Sequence, residues 1–203
     1  MIDNWRDLKV GQFLQLLDID ENDEDRVFQM VAILNNESID QTLDRQLADV
    51  KADIAKLEFL NEKPKVVRAK GKYKLGDTTY VLMSEPAEVT LAQYIDFGNT
   101  SKETKHIAEI LSIVLIPEGH EYGQGYKFDK VVQDIETYMG FEDANAISAF
   151  FFGLWLLYLK RGVKEARKAL KKAVREKVIT KEEAAETLET MQEALTPIIG
   201  FRL

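Results

Sequence analysis

Apolar residues recur along most of this chain with the spacing of a helical face, and one pattern of them occurs twice. Residues 8–16, Leu-Lys-Val-Gly-Gln-Phe-Leu-Gln-Leu, have a close variant at residues 89–97, Val-Thr-Leu-Ala-Gln-Tyr-Ile-Asp-Phe. After each copy come a polar, turn-prone insert and a second apolar stretch, at residues 26–34 and 106–114. The copies are offset by 81 residues in the first element and by 80 in the second. The sequence therefore predicts a duplicated helix-loop-helix.

Strand-like alternation dominates only in residues 65–83, where apolar and basic residues alternate before a Gly76-Asp77 turn. This pattern predicts a β-hairpin with one basic face, which carries Arg68, Lys70, Lys72 and Lys74. A row of lysines on a strand can bind phosphate or an acidic partner, and it also protects an exposed strand edge. Both interpretations are open from the sequence. Because a lone two-stranded ribbon is marginal in water, we expect the hairpin to lie on helices or to join strands of another subunit.

Other stretches have helical spacing. Residues 38–60 carry apolar residues in alternating steps of four and three, which predicts one helix with a heptad seam. Residues 128–139 predict an amphipathic helix that Gly140 ends. Residues 180–183, Thr-Lys-Glu-Glu, form a capping box that begins a last helix reaching Pro197, followed by an apolar tail at residues 198–203.

The longest apolar run, residues 146–159, covers 14 residues. A membrane span needs about 20, so the run predicts a central core helix covered by other helices on all sides. The same helix is predicted to continue through residues 160–177, where it becomes amphipathic. Its basic stripe comprises Lys160, Lys164, Arg167, Lys168, Lys171, Lys172 and Arg175. Three interpretations of the stripe are open: a solvated surface, contact with an acidic protein, and contact with a nucleic-acid backbone.

Together these elements predict a mainly α fold, in which duplicated helix-loop-helix units and a β-hairpin insert surround a central apolar helix. The predicted domains are an N-terminal helical unit at residues 1–64, the hairpin at residues 65–85, and a C-terminal helical unit with the long central helix at residues 86–203. Apolar content of 45% and charged content of 31% agree with a folded globular chain.

Charge is distributed unevenly around the net value of −8. Residues 1–60 contain 14 acidic against 6 basic side chains, whereas residues 160–177 contain 9 basic against 2 acidic side chains. This separation suits head-to-tail association of identical subunits, in which the acidic end of one meets the basic end of the next. It equally suits ion pairing within one chain.

No catalytic or metal-binding constellation is legible in the sequence. The chain has no cysteine, which excludes disulfides, thiolate metal sites and cysteine nucleophiles. The acidic stretch at residues 18–25 has the first, third and fifth ligands of a calcium loop, but Asp23 and Gln29 replace its required glycine and glutamate. His120 has carboxylates beside it but no further cluster of ligands. We therefore predict a non-enzymatic protein with no cofactor and no metal.

Three features together resemble small proteins encoded among the virion genes of tailed bacteriophages. They are the repeated Gln-aromatic-aliphatic element, the run at residues 110–117 and the Ala-Phe-Phe-Phe block at residues 149–152. The similarity is to proteins of crAss-like and related gut Bacteroidetes phages, which are often labelled tail assembly chaperones or virion structural proteins. It covers mainly residues 89–159, with a weaker match at residues 8–34, and it does not include the basic helix or the helix after Thr180.

The resemblance implies a bacteriophage morphogenesis protein that works by protein–protein contacts in the portal, neck or tail region. It implies either a ring or connector subunit or a tail assembly chaperone, with other virion or tail proteins and further copies of itself as partners. The expected location is the host cytoplasm during assembly, or the virion, with no membrane partner. The rival from another class is a nucleic-acid-binding accessory protein that uses the basic helix and the basic hairpin face.

Overall fold

The computed structural model describes residues 1–83, 89–100, 104–176 and 180–187, and most of them are helical. In the N-terminal half, α1 spans Val10–Leu17, α2 Arg26–Asn35, α3 Ile39–Leu43 and α4 Leu47–Lys56, followed by a 3₁₀ turn at Leu57–Asn61. In the C-terminal half, α5 spans Leu91–Thr100, α6 Ile107–Val114, α7 Phe128–Tyr138 and α8 Phe141–Arg175. Strands β1 (Lys72–Leu75), β2 (Thr78–Leu82) and β3 (Leu115–Pro117) form an antiparallel sheet in that order. The predicted mainly α fold with a hairpin insert is confirmed.

The two helix-loop-helix units, α1–α2 and α5–α6, share a hydrogen-bonding plan built on a glutamine at the third position of the first helix. In the first unit, the side-chain oxygen of Gln12 accepts a hydrogen bond from the backbone N–H of Lys9 at 3.0 Å. The amide of Gln12 donates to the backbone carbonyl of Ile33, also at 3.0 Å. The side chain thus joins the start of α1 to the end of α2.

Gln93 repeats both contacts in the second unit. Its oxygen accepts from the Thr90 N–H at 2.9 Å, and its amide donates to the Ile113 carbonyl at 2.8 Å. The last carbonyls of a helix have no hydrogen-bond partner within the helix. Each glutamine donates to one such carbonyl at the end of the second helix and accepts from a backbone N–H at the start of the first helix. The residues correspond at the sequence offsets of 81 and 80, which confirms the duplication at the level of individual hydrogen bonds.

The chain that enters each unit makes a third equivalent contact. The Ile2 N–H donates to the Leu34 carbonyl at 3.1 Å, and the Met83 N–H donates to the Val114 carbonyl at 3.0 Å. The units diverge after these carbonyls. Asn36, with a left-handed φ of 56°, turns the chain after α2, whereas α6 leads directly into β3.

The second apolar stretch of the duplicated unit, predicted as helix over residues 106–114, is confirmed as α6, and a strand follows it directly. The helix α6 ends at Val114, and Leu115–Pro117 pairs with β2 because extended backbone there completes the sheet. The hairpin therefore finds its additional strand in its own chain. It is also shorter than predicted, since β1 begins at Lys72 and residues 65–71 precede it. The predicted turn is confirmed, with Gly76 at a φ of 55°.

The prediction of one helix over residues 38–60 is wrong. The chain breaks between α3 and α4, and two residues of the expected seam, Leu43 and Leu47, are 55% and 67% exposed. The break places Arg45 where its guanidinium contacts Glu37 at 2.8 Å and Asp53 at 2.7 Å. The periodicity of apolar residues could not reveal this polar connection, because it joins residues on the two sides of the break.

The buried core joins residues from both halves of the chain. It includes Leu8, Val10, Leu34, Ile107, Leu111, Ile135, Phe141 and Ile147. Backbone hydrogen bonds from Val10 to Met139 at 3.0 Å and from Phe141 to Leu8 at 2.7 Å attach the segment before α1 to the connection between α7 and α8. The helical spacing of apolar residues from Trp5 to Leu17 predicts a helix that begins near residue 5. This prediction is wrong at its start, because residues 4–7 form a turn and Lys9 pairs with Gly140, so that α1 begins at Val10.

The helix α8 confirms that the apolar run and the basic segment belong to one helix. Ala144, Ile147 and Phe151 are buried, whereas Ala149 and Phe150 are exposed. The interpretation that other helices cover the run on all sides is therefore wrong at these two positions. Among the described helices, none combines the length and the apolar character that crossing a membrane requires.

The last predicted helix begins as expected. Thr180 and Glu183 form the capping box, with the Thr180 N–H donating to the Glu183 carboxylate at 2.7 Å and the Glu183 N–H donating to the Thr180 hydroxyl at 3.1 Å. Helix follows at residues 181–187. Its predicted continuation to Pro197 and the apolar tail at residues 198–203 lie outside the described residues.

Candidate interaction surfaces

The basic stripe of α8 contains an exposed row of cations without partners among the described residues. These positions recur at i, i+3, i+7 and i+11, so they share one helix face about 17 Å long. We call this row the free stripe: Lys164, Arg167, Lys171 and Arg175. Beside it, Lys168 contacts Glu165 at 2.8 Å and Lys172 contacts Glu176 at 3.8 Å, both within the helix. The side chain of Lys160 lies outside the described part of α8.

The basic hairpin residues do not form a single strand face. Lys72 and Lys74 project from β1 into solvent as the alternation predicts, while Arg68 and Lys70 precede the strand. Burial alternates along β1 because Tyr73 and Leu75, which alternate with these lysines, enter the core.

Two of these hairpin cations are already paired within the chain. Lys70 contacts both carboxylate oxygens of Asp143 on α8 at 3.1 Å, and Lys72 forms an ion pair with Glu118. Arg68 borders a groove of about 1090 Å³, which also contains Trp5. Six carboxylates and six cations line this groove, so its charge favours neither an acidic nor a basic ligand. The hairpin therefore offers fewer available cations than its sequence suggests.

The loop between α1 and α2 is the acidic counterpart of the free stripe. Residues 18–25, which we call the acidic loop, carry six carboxylates, and all six residues are exposed. Two of them shape the loop: Asp20 accepts from the Asn22 N–H at 2.9 Å, and Asp23 accepts from the Asp25 N–H at 2.8 Å. The remaining carboxylates, those of Asp18, Glu21, Glu24 and Asp25, have no hydrogen bond or ion pair within the described structure.

The acidic stretch precedes a predicted helix, so its carboxylates could cap that helix as an alternative to forming a calcium loop. Asp25 does stand immediately before α2, but its side chain makes no capping hydrogen bond. Within the described ranges, no group of three His, Cys, Asp or Glu side chains is placed to hold a metal ion. The ion pairs of the described chain also do not join the acidic loop to the free stripe. The intrachain pairing that the charge distribution allows is thus not seen between these two surfaces.

Sequence reasoning missed a buried polar network in the N-terminal half. The Asp53 side chain contacts Arg45 and Lys56, each at 2.7 Å, and accepts from the Asn35 amide at 3.1 Å. Burial alone raises the pKa of Asp53, but the hydrogen bonds from Lys56, Arg45 and Asn35 outweigh burial and hold this pKa well below its ordinary value. The i, i+3 spacing of Asp53 and Lys56 was the only local signal of this network.

A second buried carboxylate joins the sheet to α7. The Tyr80 hydroxyl donates to Asp134 at 2.7 Å, and Lys130 forms an ion pair with the other carboxylate oxygen. Burial, together with the hydrogen bond and charge of Asp134, raises the pKa of Tyr80. Both oxygens of Asp134 are occupied, as are those of Asp53, so neither carboxylate presents an unoccupied oxygen to a substrate.

The loop after β3, at residues 118–126, is rich in glycine and tyrosine and is likewise held by a hydrogen bond. The Tyr122 hydroxyl donates to Asp96 of α5 at 2.7 Å. Burial, together with the hydrogen bond and charge of Asp96, raises the pKa of Tyr122.

Comparisons with protein-family models, curated proteins and solved structures find no match for this chain. The exposed charged surfaces are therefore the features from which a function can be argued.

Proposed function

We propose that this chain is a non-enzymatic bacteriophage morphogenesis protein that acts by protein–protein contacts. In this proposal it is either a ring or connector subunit of the portal, neck or tail region or a tail assembly chaperone. The motif resemblance over residues 89–159 supports the phage assignment. The observation that carries the protein-contact role is the coexistence of the acidic loop and the free stripe, two exposed surfaces of opposite charge. Complementary surfaces of this kind steer association and fix the orientation of partners.

The buried carboxylates support a role without catalysis. A general acid or base needs an oxygen within reach of a substrate proton. The described buried carboxylates, Asp53 and Asp134, instead use their oxygens to hold Arg45, Lys56, Lys130 and other internal groups. They connect elements of the fold.

The two versions of the proposal make different demands on the surface. A ring subunit uses unlike surfaces in repeated contacts with identical neighbours. A chaperone binds an apolar client, and the exposed Phe150 beside Ala149 on α8 is the surface we assign to it, with 37% of Phe150 exposed. Both versions require the chain to bind another polypeptide.

Light scattering after size-exclusion chromatography tests the proposal. A stable high-order assembly supports the ring subunit, whereas a monomer or dimer that retains a coexpressed product of a neighbouring gene supports the chaperone. A monomer that captures no such product contradicts both versions.

A nucleic-acid-binding accessory protein is the second candidate, and the four cations of the free stripe favour it. If all four contact phosphates of duplex DNA, the logarithm of the binding constant should fall with the logarithm of salt concentration with a slope of about −3.6. Titration with duplex DNA at two salt concentrations measures this slope. Absence of salt-sensitive binding removes this candidate.

A further inference from the structure

We infer that the acidic loop of one copy of this chain binds the free stripe of a second copy. The inference deepens the proposed function and rests on it, because it names the partner in a homo-oligomer and the surfaces that meet. It concerns a contact between copies, since the described part of a single chain does not pair these surfaces.

The two surfaces match in charge and in number of available groups. Within the described residues, four carboxylates of the acidic loop and four cations of the free stripe have no partner. The stripe is about 17 Å long on one face of a helix, and the loop presents its carboxylates within eight consecutive residues. Such a pairing would neutralise the four cations and four of the six carboxylates of the loop.

The acidic loop is already shaped in the single chain. Hydrogen bonds accepted by Asp20 and Asp23 fold it into successive turns, and the Gln29 amide also donates to Asp23 at 2.7 Å. A preorganised loop loses less conformational freedom on binding than a disordered one. This property suits a docking element more than a solvated linker.

Apolar side chains adjoin both charged surfaces. Leu17 and Val27, at the two ends of the acidic loop, are 47% and 39% exposed. Leu170 and Val174 lie half-buried next to the free stripe. Protein interfaces commonly surround an apolar centre with polar and charged groups, and these four residues supply the apolar part.

Because the two surfaces differ, the contact is heterologous: each copy uses its loop on one neighbour and its stripe on the other. A heterologous contact produces a ring when the rotation closes and an open chain when it does not. A nucleic acid is disfavoured as the partner of the acidic loop, since the carboxylates of the loop repel phosphates.

Charge reversal with mixing tests the inference. The loop variant carries Glu21→Lys and Glu24→Lys, and the stripe variant carries Arg167→Glu and Lys171→Glu. Each variant alone should self-associate at least about tenfold more weakly than the unmodified protein, because the reversed positions then face like charges on the partner surface. An equimolar mixture should restore association, since the introduced lysines of the first variant meet the introduced glutamates of the second, and the unmodified surfaces also match.

The control is the pair of changes Lys51→Glu and Glu58→Lys, at exposed residues without ion pairs in the described structure. It should leave self-association unchanged. Circular dichroism should confirm that every variant is folded, and sedimentation velocity at equal protein concentration provides the association constant.

The possible outcomes distinguish this inference from the proposed function. Restoration on mixing supports the loop-to-stripe contact. Self-association that is insensitive to both variants, or a mixture that stays dissociated, overturns the inference while the proposed function stands on the observed assembly. Unmodified protein that remains monomeric overturns the inference too, and if it also captures no coexpressed neighbour the proposed function fails with it. Loss of duplex DNA binding in the stripe variant, without restoration of self-association on mixing, selects the nucleic-acid function.

Discussion

Replacing Gln93 by methionine tests the shared plan of the two helical units most sharply. Methionine keeps the length of the side chain but removes the amide, so the Ile113 carbonyl loses the donor at 2.8 Å and the Thr90 N–H loses its acceptor at 2.9 Å. Gln93 is 1% exposed, and water cannot readily replace it. A buried carbonyl left without a partner costs about 1–3 kcal/mol, and loss of the hydrogen bond that the Thr90 N–H donates adds about 1 kcal/mol. The expected loss of unfolding free energy is about 2–4 kcal/mol.

The same change at Gln12 should cost less, although the sequence motif is the same. The Ile33 carbonyl that Gln12 contacts also accepts from the Asn36 N–H at 3.2 Å, so it keeps one partner after the substitution. The Gln12 amide also donates to the Asn36 side chain at 3.1 Å, but Asn36 is exposed and water can replace that donor. We expect a loss of about 1–2 kcal/mol. The difference arises from the left-handed turn at Asn36, which the second unit replaces by a strand.

Urea unfolding followed by circular dichroism measures both losses as changes in the midpoint at constant slope. Gln15→Met is the matched control, because Gln15 lies on α1, is exposed and makes no side-chain hydrogen bond within the described structure. It should change stability by less than about 0.5 kcal/mol. If Gln93→Met is no more destabilising than this control, or if Gln12→Met costs more than Gln93→Met, the reasoning on carbonyl satisfaction is refuted.

Two further predictions concern pH and a turn. The folded-state pKa of Asp53 lies below its unfolded value of about 3.9. Its ion pairs therefore stabilise the folded state fully above about pH 5. This contribution is lost as the pH falls through the unfolded pKa and then towards the folded pKa. The urea midpoint should fall in acid, and Asp53→Asn should reduce that acid dependence; an unchanged profile contradicts the assignment. Gly76→Ala should cost about 1–3 kcal/mol, since it combines a φ of 55° with a Cβ 2.9 Å from the Tyr138 ring. Gly71→Ala, where a Cβ meets nothing within 4 Å, is the control, and equal melting temperatures for the two variants would contradict the explanation.

The duplication could be predicted from sequence because a motif and the helix after it are both repeated, at nearly the same distance along the chain. The roles of Gln12 and Gln93 were not predictable in the same way. Their acceptors lie at the far ends of the following helices, 21 and 20 residues away in sequence. Only the fold brings them within hydrogen-bonding distance.

The errors have a common physical origin in contacts between distant residues. The strand Leu115–Pro117 was not predicted, because its pairing with β2 depends on tertiary context and not on local propensity. The expected helix over residues 38–60 breaks where Arg45 contacts two carboxylates.

The sequence could predict which cations lie on the candidate interaction surfaces. It could not predict which of them are left unpaired within the chain and so remain for a partner. Lys70 is paired with Asp143, which lies 73 positions away in sequence. By contrast, the pairing of Lys168 with Glu165 follows a local i, i+3 spacing that sequence could have revealed. Which charges remain for a partner depends on both kinds of pairing.

Cross-linking a mixture of isotopically light and heavy protein shows whether unlike charged surfaces of this chain meet between copies. A carbodiimide joins lysine to carboxylate without a spacer, and mass spectrometry then assigns each linked residue to a light or a heavy copy. We expect light–heavy links between Glu21 or Glu24 of the acidic loop and Lys164 or Lys171 of the free stripe. Links between these residues that are only light–light or heavy–heavy would show pairing within one chain and contradict this expectation.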